Sequence, residues 1–233
     1  TAVTGKWQLG TEDDSPLHFG FDEAFLWRHK LKSSVKGFNG DKRDSRFASP
    51  WIQHTRREDG KIESDVKQYP YLYGPDLISD FACEFIEANK EKPFFLYYPM
   101  ALVHCPFDYT PDSEGWEENN LGSLTYKGNP EYFADMVAYT DNIVGKIIDQ
   151  LEASGVRENT LIIFTGDNGT DKPIVSMMGD QEVIGSKSIP IEWGTHVPFV
   201  ASWPRSIPKG SFNSDLIDFS DMLPTICEAA GID

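Results

Sequence analysis

Two lysines, a histidine and an aspartate–asparagine pair stand in surroundings that could do chemistry. Asp167 and Asn168 follow the apolar run 161–164, separated from it only by Thr165 and Gly166. A carboxylate and an amide oxygen side by side suit a hard cation such as Ca²⁺ or Mg²⁺. Gly166 and Gly169 let the backbone bend close to an ion. The same residues could instead close the strand as an Asx turn. Asn168-Gly169-Thr170 also reads as a glycosylation sequon, for which a strand end in a sheet crevice is a poor acceptor. His104 closes "FFLYYPMALVH", just past a second apolar run. There an imidazole can serve as general acid or base, or hold an anion; it can also be a hydrogen-bonded surface group. Lys187 in "IGSKSIP" and Lys6 in "TGKWQLG" have small neighbours. Such neighbours let an ammonium point into a crowded site and meet an oxyanion as a point charge; singly, each lysine could equally be solvated. Jointly, the set suits an anionic, tetrahedral substrate with several oxygens to neutralise.

The elements that must position these groups follow from periodicity. Leu77, Ile78, Phe81, Phe85 and Ile86 recur at helical spacing, ending near Lys92-Pro93. "FFLYYPM" reads as a short buried strand. Phe133, Met136, Val137, Thr140, Val144, Ile147, Ile148 and Leu151 form one apolar stripe, closed by Gly155 as the residue after the helix. "LIIF" and "VPFVASW" read as strands, with "MMGDQEVIGSKS" as a loop between them. "DFSDMLPTICEAAG" reads as a last helix capped by Asp218 or Ser220, with Asp221 and Pro224 as fold determinants. Alternating elements of this kind predict an α/β fold, a mostly parallel sheet sandwiched by helices. Ligands in such sheets gather at the carboxyl ends of the strands, where His104, Asp167 and Asn168 fall.

Composition narrows the classes. With 233 residues, 39% hydrophobic and 13% aromatic, a real core is expected. No apolar run approaches a transmembrane length. Cys83, Cys105 and Cys227 form no CxxC pair, which excludes a zinc knuckle or redox pair. A net charge of −16 argues against a nucleic-acid partner. Between residues 28 and 57, however, nine Lys/Arg face two acids, leaving 12 basic and 35 acidic residues elsewhere. The charge excess of this basic, loop-rich insert at about 28–75 sits with Trp27, Phe38, Phe47 and Trp51. Cations and aromatic faces suit a sulfated sugar; the simpler reading is a solvated loop.

The ordered combination is more specific than its parts. "TGKWQLG", "HFGFDEAF", "KPFFLYYPMALVHCPF", "ADMVAYTDNIVGKIIDQLEASGVRENTLIIFTGDNG", "IGSKSIPIEWGTHVPFVASWP" and "DFSDMLPTICEAAG" follow one another as in sulfatases. The chain resembles a bacterial formylglycine-dependent sulfatase (type I, arylsulfatase-like) of the alkaline-phosphatase-like superfamily. The resemblance implies sulfate ester hydrolysis on a sulfated carbohydrate or aryl sulfate. It implies that Lys6 and Lys187 bind the sulfate and His104 contacts it and protonates the leaving oxygen. It implies that Asp167 and Asn168 supply half of a Ca²⁺ site. Gln8 stands where many members have a histidine, and His196 is expected to line the pocket or cap the next strand. The family's C/S-x-P-x-R nucleophile motif fits none of the three cysteines, and Asp13-Asp14, in a turn expected to be solvated, does not follow an apolar strand. The expectation is a partial catalytic domain over 1–233, with formylglycine and the other metal pair upstream and the C-terminal subdomain downstream. Such a piece is expected to be inactive alone. A periplasmic or secreted location is implied. A phosphodiesterase or phosphonate monoester hydrolase of the same superfamily, or a non-catalytic binder of sulfated glycans, remains open at this stage.

Overall fold

Five strands form the main sheet: β1 (Ala2–Lys6), β2 (Glu23–Trp27), β3 (Trp51–Glu58), β4 (Lys61–Gln68) and β5 (Leu96–Tyr97), in the order β4-β3-β2-β1-β5. The computed structural model describes residues 1–10, 12–28, 46–120, 122–123 and 125–232. β1 runs parallel to both neighbours, pairing Ala2 with Glu23 and with Leu96. β2, β3 and β4 continue antiparallel.

Side chains alternate across this sheet as the strand period requires. Ala2, Phe25, Trp27 and Ile52 face the helix α2 (Gly74–Asn89), packing on Ile78, Phe81 and Phe85. Val3, Ala24 and Leu26 face the other way, against Trp7 and Leu17 of the short helix α1 (Ser15–His18) and its approach. Each large apolar side chain so buried contributes about 1.5–3 kcal/mol. The long helix α3 (Phe133–Ala153) lies on α2. It buries Met136 and Ile143 in a third cluster with Phe47, Leu102, Cys105 and Phe107. Polar clasps fix the two helices: Tyr139 Oη donates to Asp76 Oδ1 at 2.6 Å, and Lys146 Nζ reaches Asp80 Oδ1 at 2.5 Å.

Beyond α3, β6 (Ile162–Thr165) leads to a hairpin of β7 (Val175–Met178) and β8 (Gln181–Ile184). The helical turn α4 (Glu192–Thr195), then β9 (Phe199–Ser202) and α5 (Met222–Ala229), complete the chain. β6 and β9 pair antiparallel. Asp218 caps the last helical segment through a capping box: its Oδ1 accepts from Ser220 N, and its N–H donates to Asp221 Oδ2, both at 2.8 Å.

The α/β class and the helices packed on the sheet agree with expectation, and three differences have physical causes. The sheet is mixed, parallel only around β1, because a hairpin extends it. That hairpin, β3 and β4, occupies part of the stretch expected to be loop. Its outer strand KIESDVKQ is exposed along most of its length and so shows no apolar period. The second hairpin replaces the expected loop at 175–184, turning on Gly179-Asp180 with Gly179 at φ 62°. Conversely, "FFLYYPM" keeps only Leu96 and Tyr97 in the ladder.

Candidate active site

Three adjacent parallel strands deliver side chains to one end of the sheet. β1 ends in Lys6 and β2 ends in Trp27. The segment after β5 turns at His104, whose N–H donates to Ala101 O at 3.0 Å. Gly5 makes the approach of β1 to that segment geometrically feasible. It sits at φ 121°, and a Cβ there would lie 2.2 Å from Pro99 O. With no side chain in the way, Lys6 N–H bonds Pro99 O at 2.7 Å. Trp7 then turns into the core and donates Nε1–H to Ser15 Oγ at 3.2 Å. Lys6 is therefore half-buried, not a solvated surface lysine.

The other half of the site is built from loops held backbone to backbone by glycines. A Cβ on Gly169 would lie 1.9 Å from Trp193 O, one on Gly185 2.0 Å from Asp171 O, and one on Gly194 2.0 Å from Ile189 O. Across these contacts Gly169 N–H bonds Gly194 O at 2.9 Å, and Lys187 N–H bonds Thr170 O at 2.9 Å. The loop carrying Asp167 and Asn168 is thus tied to the loop carrying Lys187. Asn168 Nδ2 donates to Asp167 Oδ1 at 2.6 Å. The pair so held is an oxygen donor set suited to a hard cation. Two residues cannot complete the six to eight oxygens of a Ca²⁺ shell. Among the described residues no cluster of three or more His, Cys, Asp or Glu could form a metal cage.

Electrostatics show that the two halves meet. Burial pushes the His104 pKa down to about 4. The Arg46, Lys6 and Lys187 cations act in the same sense, against the nearby Cys105 carbonyl, which favours a ring proton. Lys6 is lowered too, first by burial and then by Arg46 and Lys187, with Asp167 opposing. The site holds a neutral imidazole among three cations and calls for an anion. At the rim, burial works against the charged carboxylate of Asp171. Bonds from Lys127 and the Lys172 N–H, with the Lys187 charge, outweigh burial and hold its pKa down.

Lys6, His104, Lys187 and Asp167 thus come within electrostatic reach of one another, with Asn168 beside Asp167. Gln8 is exposed. His196 follows α4 and is exposed, its Nδ1 3.5 Å from Glu192 Oε1; no contact joins it to the cluster among the described residues. The Asp13 turn is more than solvated. Its carboxylate pairs with Arg28 Nη2 at 2.8 Å, and its carbonyl accepts from Thr55 Oγ1 at 3.0 Å. Trp27, Phe47 and Trp51 are core residues, at most 7% exposed, so they offer no rings to a sugar. Phe38, and those of the insert's basic residues that fall within 29–45, lie outside the described residues. Sequence reasoning missed Arg46, counted only as one of the insert's charges. The available signal was an arginine heading the apolar "FASPW".

The family model described as Sulfatase matches residues 1–232. The chain belongs to the sulfatase family. It is 26% identical to the arylsulfatase of Hemicentrotus pulcherrimus, over 99% of this chain and 40% of that protein. It is likewise 26% identical to the N-acetylgalactosamine-6-sulfatase of Mus musculus, over 99% of this chain and 42% of the other. The family match covers residues 1–232, yet this chain spans only about two fifths of those relatives' length. The crystal structure of Ps i-CgsB in complex with k-i-k-neocarrahexaose shares the fold, with a TM-score of 0.65 and 24% identity, over 100% of this chain and 51% of that one.

Proposed function

We propose that the protein containing this chain hydrolyses sulfate esters, with a sulfated carbohydrate as substrate class. The observation that carries the reading is the convergence of Lys6, Lys187 and Arg46 on a neutral His104, in a chain of the sulfatase family. A sulfate monoester brings one negative charge and three terminal oxygens. Lys6 and Lys187 bind and orient these oxygens as fixed cations in a partly desolvated site, where such charges act most strongly. His104 holds a proton on its ring toward the departing ester oxygen. Asp167 and Asn168 would hold the Ca²⁺ ion, which supplies further positive charge to the sulfate oxygens. The glycine-locked loops keep these oxygens in register with Lys187. Formylglycine would supply the nucleophilic hydroxyl of its hydrate. A carbohydrate substrate is supported by the name of the mouse relative and by the oligosaccharide bound to the structural neighbour.

The test uses the full-length protein. Sulfate release from N-acetylgalactosamine 6-sulfate and from an aryl sulfate is measured beside phosphate mono- and diesters, with and without chelator. Peptide mass spectrometry in parallel looks for formylglycine. Chelator-sensitive sulfate release and a formylglycine peptide are expected. Phosphate release without sulfate release moves the protein to the phosphoryl-transfer relatives of the superfamily. Glycan binding without turnover makes it a binding domain.

A further inference from the structure

Arg46 touches the histidine that this reading assigns to the leaving oxygen. Its guanidinium is buried, 5% exposed for the residue. Nη1 lies 2.5 Å from His104 Nδ1 and also donates to the Cys105 carbonyl. Its Cζ sits 4.8 Å from the Trp27 ring centroid, a cation–π seat at the end of β2. The backbone around it is pinned: Gly74 N–H bonds Phe47 O at 2.6 Å, Ala48 bridges Tyr73, and a Cβ on Gly74 would lie 2.8 Å from Arg46 O. The arginine is therefore held at both ends, by the start of α2 and by the indole.

Its chemistry is one-sided. A guanidinium only donates hydrogen bonds, and it stays charged at any working pH. A ring nitrogen facing it must offer a lone pair. His104 Nδ1 also lies 2.7 Å from Cys105 O. Without the arginine, that carbonyl would draw a proton onto Nδ1. With Arg46 bridging Nδ1 and the same carbonyl, the single ring proton belongs on Nε2. We propose that Arg46 is a positioning residue: it fixes His104 as the Nε2–H tautomer, so that the ring meets the substrate as a hydrogen-bond donor.

The proposal rests on His104 facing the ester, and it deepens that reading without being contained in it. The charged and titratable groups around the ring are Lys6 from β1, Lys187 from the loop after β8 and Arg46 itself. Cys105 is next in sequence, and Tyr126 acts on Cys105 and Arg46 from the loop at 125–128. Of these, the Arg46 guanidinium and the Cys105 carbonyl lie at hydrogen-bond distance from Nδ1. Burial is the first cause of the low proton affinity of His104, and the charge of Arg46 adds to it.

The experiment has a readout independent of turnover. Ring ¹⁵N spectra of histidine-labelled full-length protein, with His104 assigned through His104→Gln, report tautomer and titration directly. The native ring is expected as Nε2–H. Arg46→Met is expected to move it toward Nδ1–H and to raise its titration midpoint by at least ~1 pH unit. Arg46→Lys keeps the charge but cannot bridge both acceptors, so it should shift the spectra in the same direction and serves if the methionine variant does not fold. A native Nδ1–H ring, or variants with unchanged ring signals, overturns the proposal. With a turned-over substrate, kcat should fall at least ~10-fold with KM within ~3-fold. The same substitution in the His104→Gln background should add less than ~2-fold. A full effect in that background, or a rise in KM alone, makes Arg46 an anion contact instead. If the protein releases no sulfate at all, the functional reading fails while the tautomer result still stands or falls alone.

Discussion

Gly169→Ala is expected to loosen the site without touching any group that does chemistry. The added Cβ would sit 1.9 Å from Trp193 O and 2.8 Å from Gly194 Cα, against 3.4 Å for ordinary contact. Both obstacles are backbone, so no side chain can swing aside. The two loops must separate, which lengthens or breaks the 2.9 Å bond from Gly169 N–H to Gly194 O. Overpacking of this kind costs about 1–3 kcal/mol and the lost bond about 0.5–1.5 kcal/mol. The sum, about 1.5–4.5 kcal/mol, lowers Tm by at least ~3 °C for a unit of this size. The internal control is Gly145→Ala within α3, where a Cβ meets nothing within 4 Å. There the change removes backbone freedom from the unfolded chain and stabilises by about 0.5–1 kcal/mol. Thermal unfolding of the two variants side by side measures opposite signs. A Gly169→Ala Tm within ~1 °C of wild type would refute the argument that these glycines lock the loops.

Three further outcomes are expected. Lys187→Ala in the full-length protein should lower kcat/KM for a sulfate ester at least ~10-fold, equivalent to about 1.4 kcal/mol; an unchanged value removes Lys187 from the site. His104 takes a proton near its ordinary 6.5 when unfolded but only at about 4 when folded, so it costs stability progressively as pH falls from 6.5 to 4. Urea midpoints at pH 7 and pH 4.5 should therefore drop further for wild type than for His104→Gln, and equal drops would contradict the buried, cation-flanked ring. Asp218→Ala, which removes the cap acceptor for the Ser220 N–H, should cost about 1 kcal/mol, read as a lower thermal midpoint.

Much of the candidate site was legible in the sequence because its residues flank strands. Lys6, His104 and the Asp167–Asn168 pair each stand at or just beyond an apolar run, the first two beyond β1 and β5 of the main sheet and the pair beyond β6, which pairs with β9 in a sheet of its own. The long helices were legible for the same kind of reason, an apolar stripe wide enough to survive without context. Arg46 was not, because its meaning depends on a contact 58 residues away. The apolar stretch after it hints at burial, but nothing local says that the guanidinium is bound for an imidazole. The two hairpins were hidden differently. β4 and β7 are almost wholly exposed, so they carry no periodic burial. The strand identity of β4 comes from its partner, and β7 and β8 declare themselves only through each other. His196, open in the sequence between lining the pocket and capping the next strand, lies exposed just after the helical turn α4.

The outermost strand of the main sheet bears on how the molecule avoids its own kind. Among the described residues, β4 has β3 on one side and ends the sheet on the other, and an uncovered row of amide and carbonyl groups is a template for a foreign strand. Lys61, Glu63, Asp65 and Lys67 alternate along it, all exposed. A second copy docking there in register would have to strip water from four charges and bring some of like sign together. The hairpin therefore widens the sheet that braces Trp27 and Arg46, and its charged border discourages the sheet from growing into an aggregate.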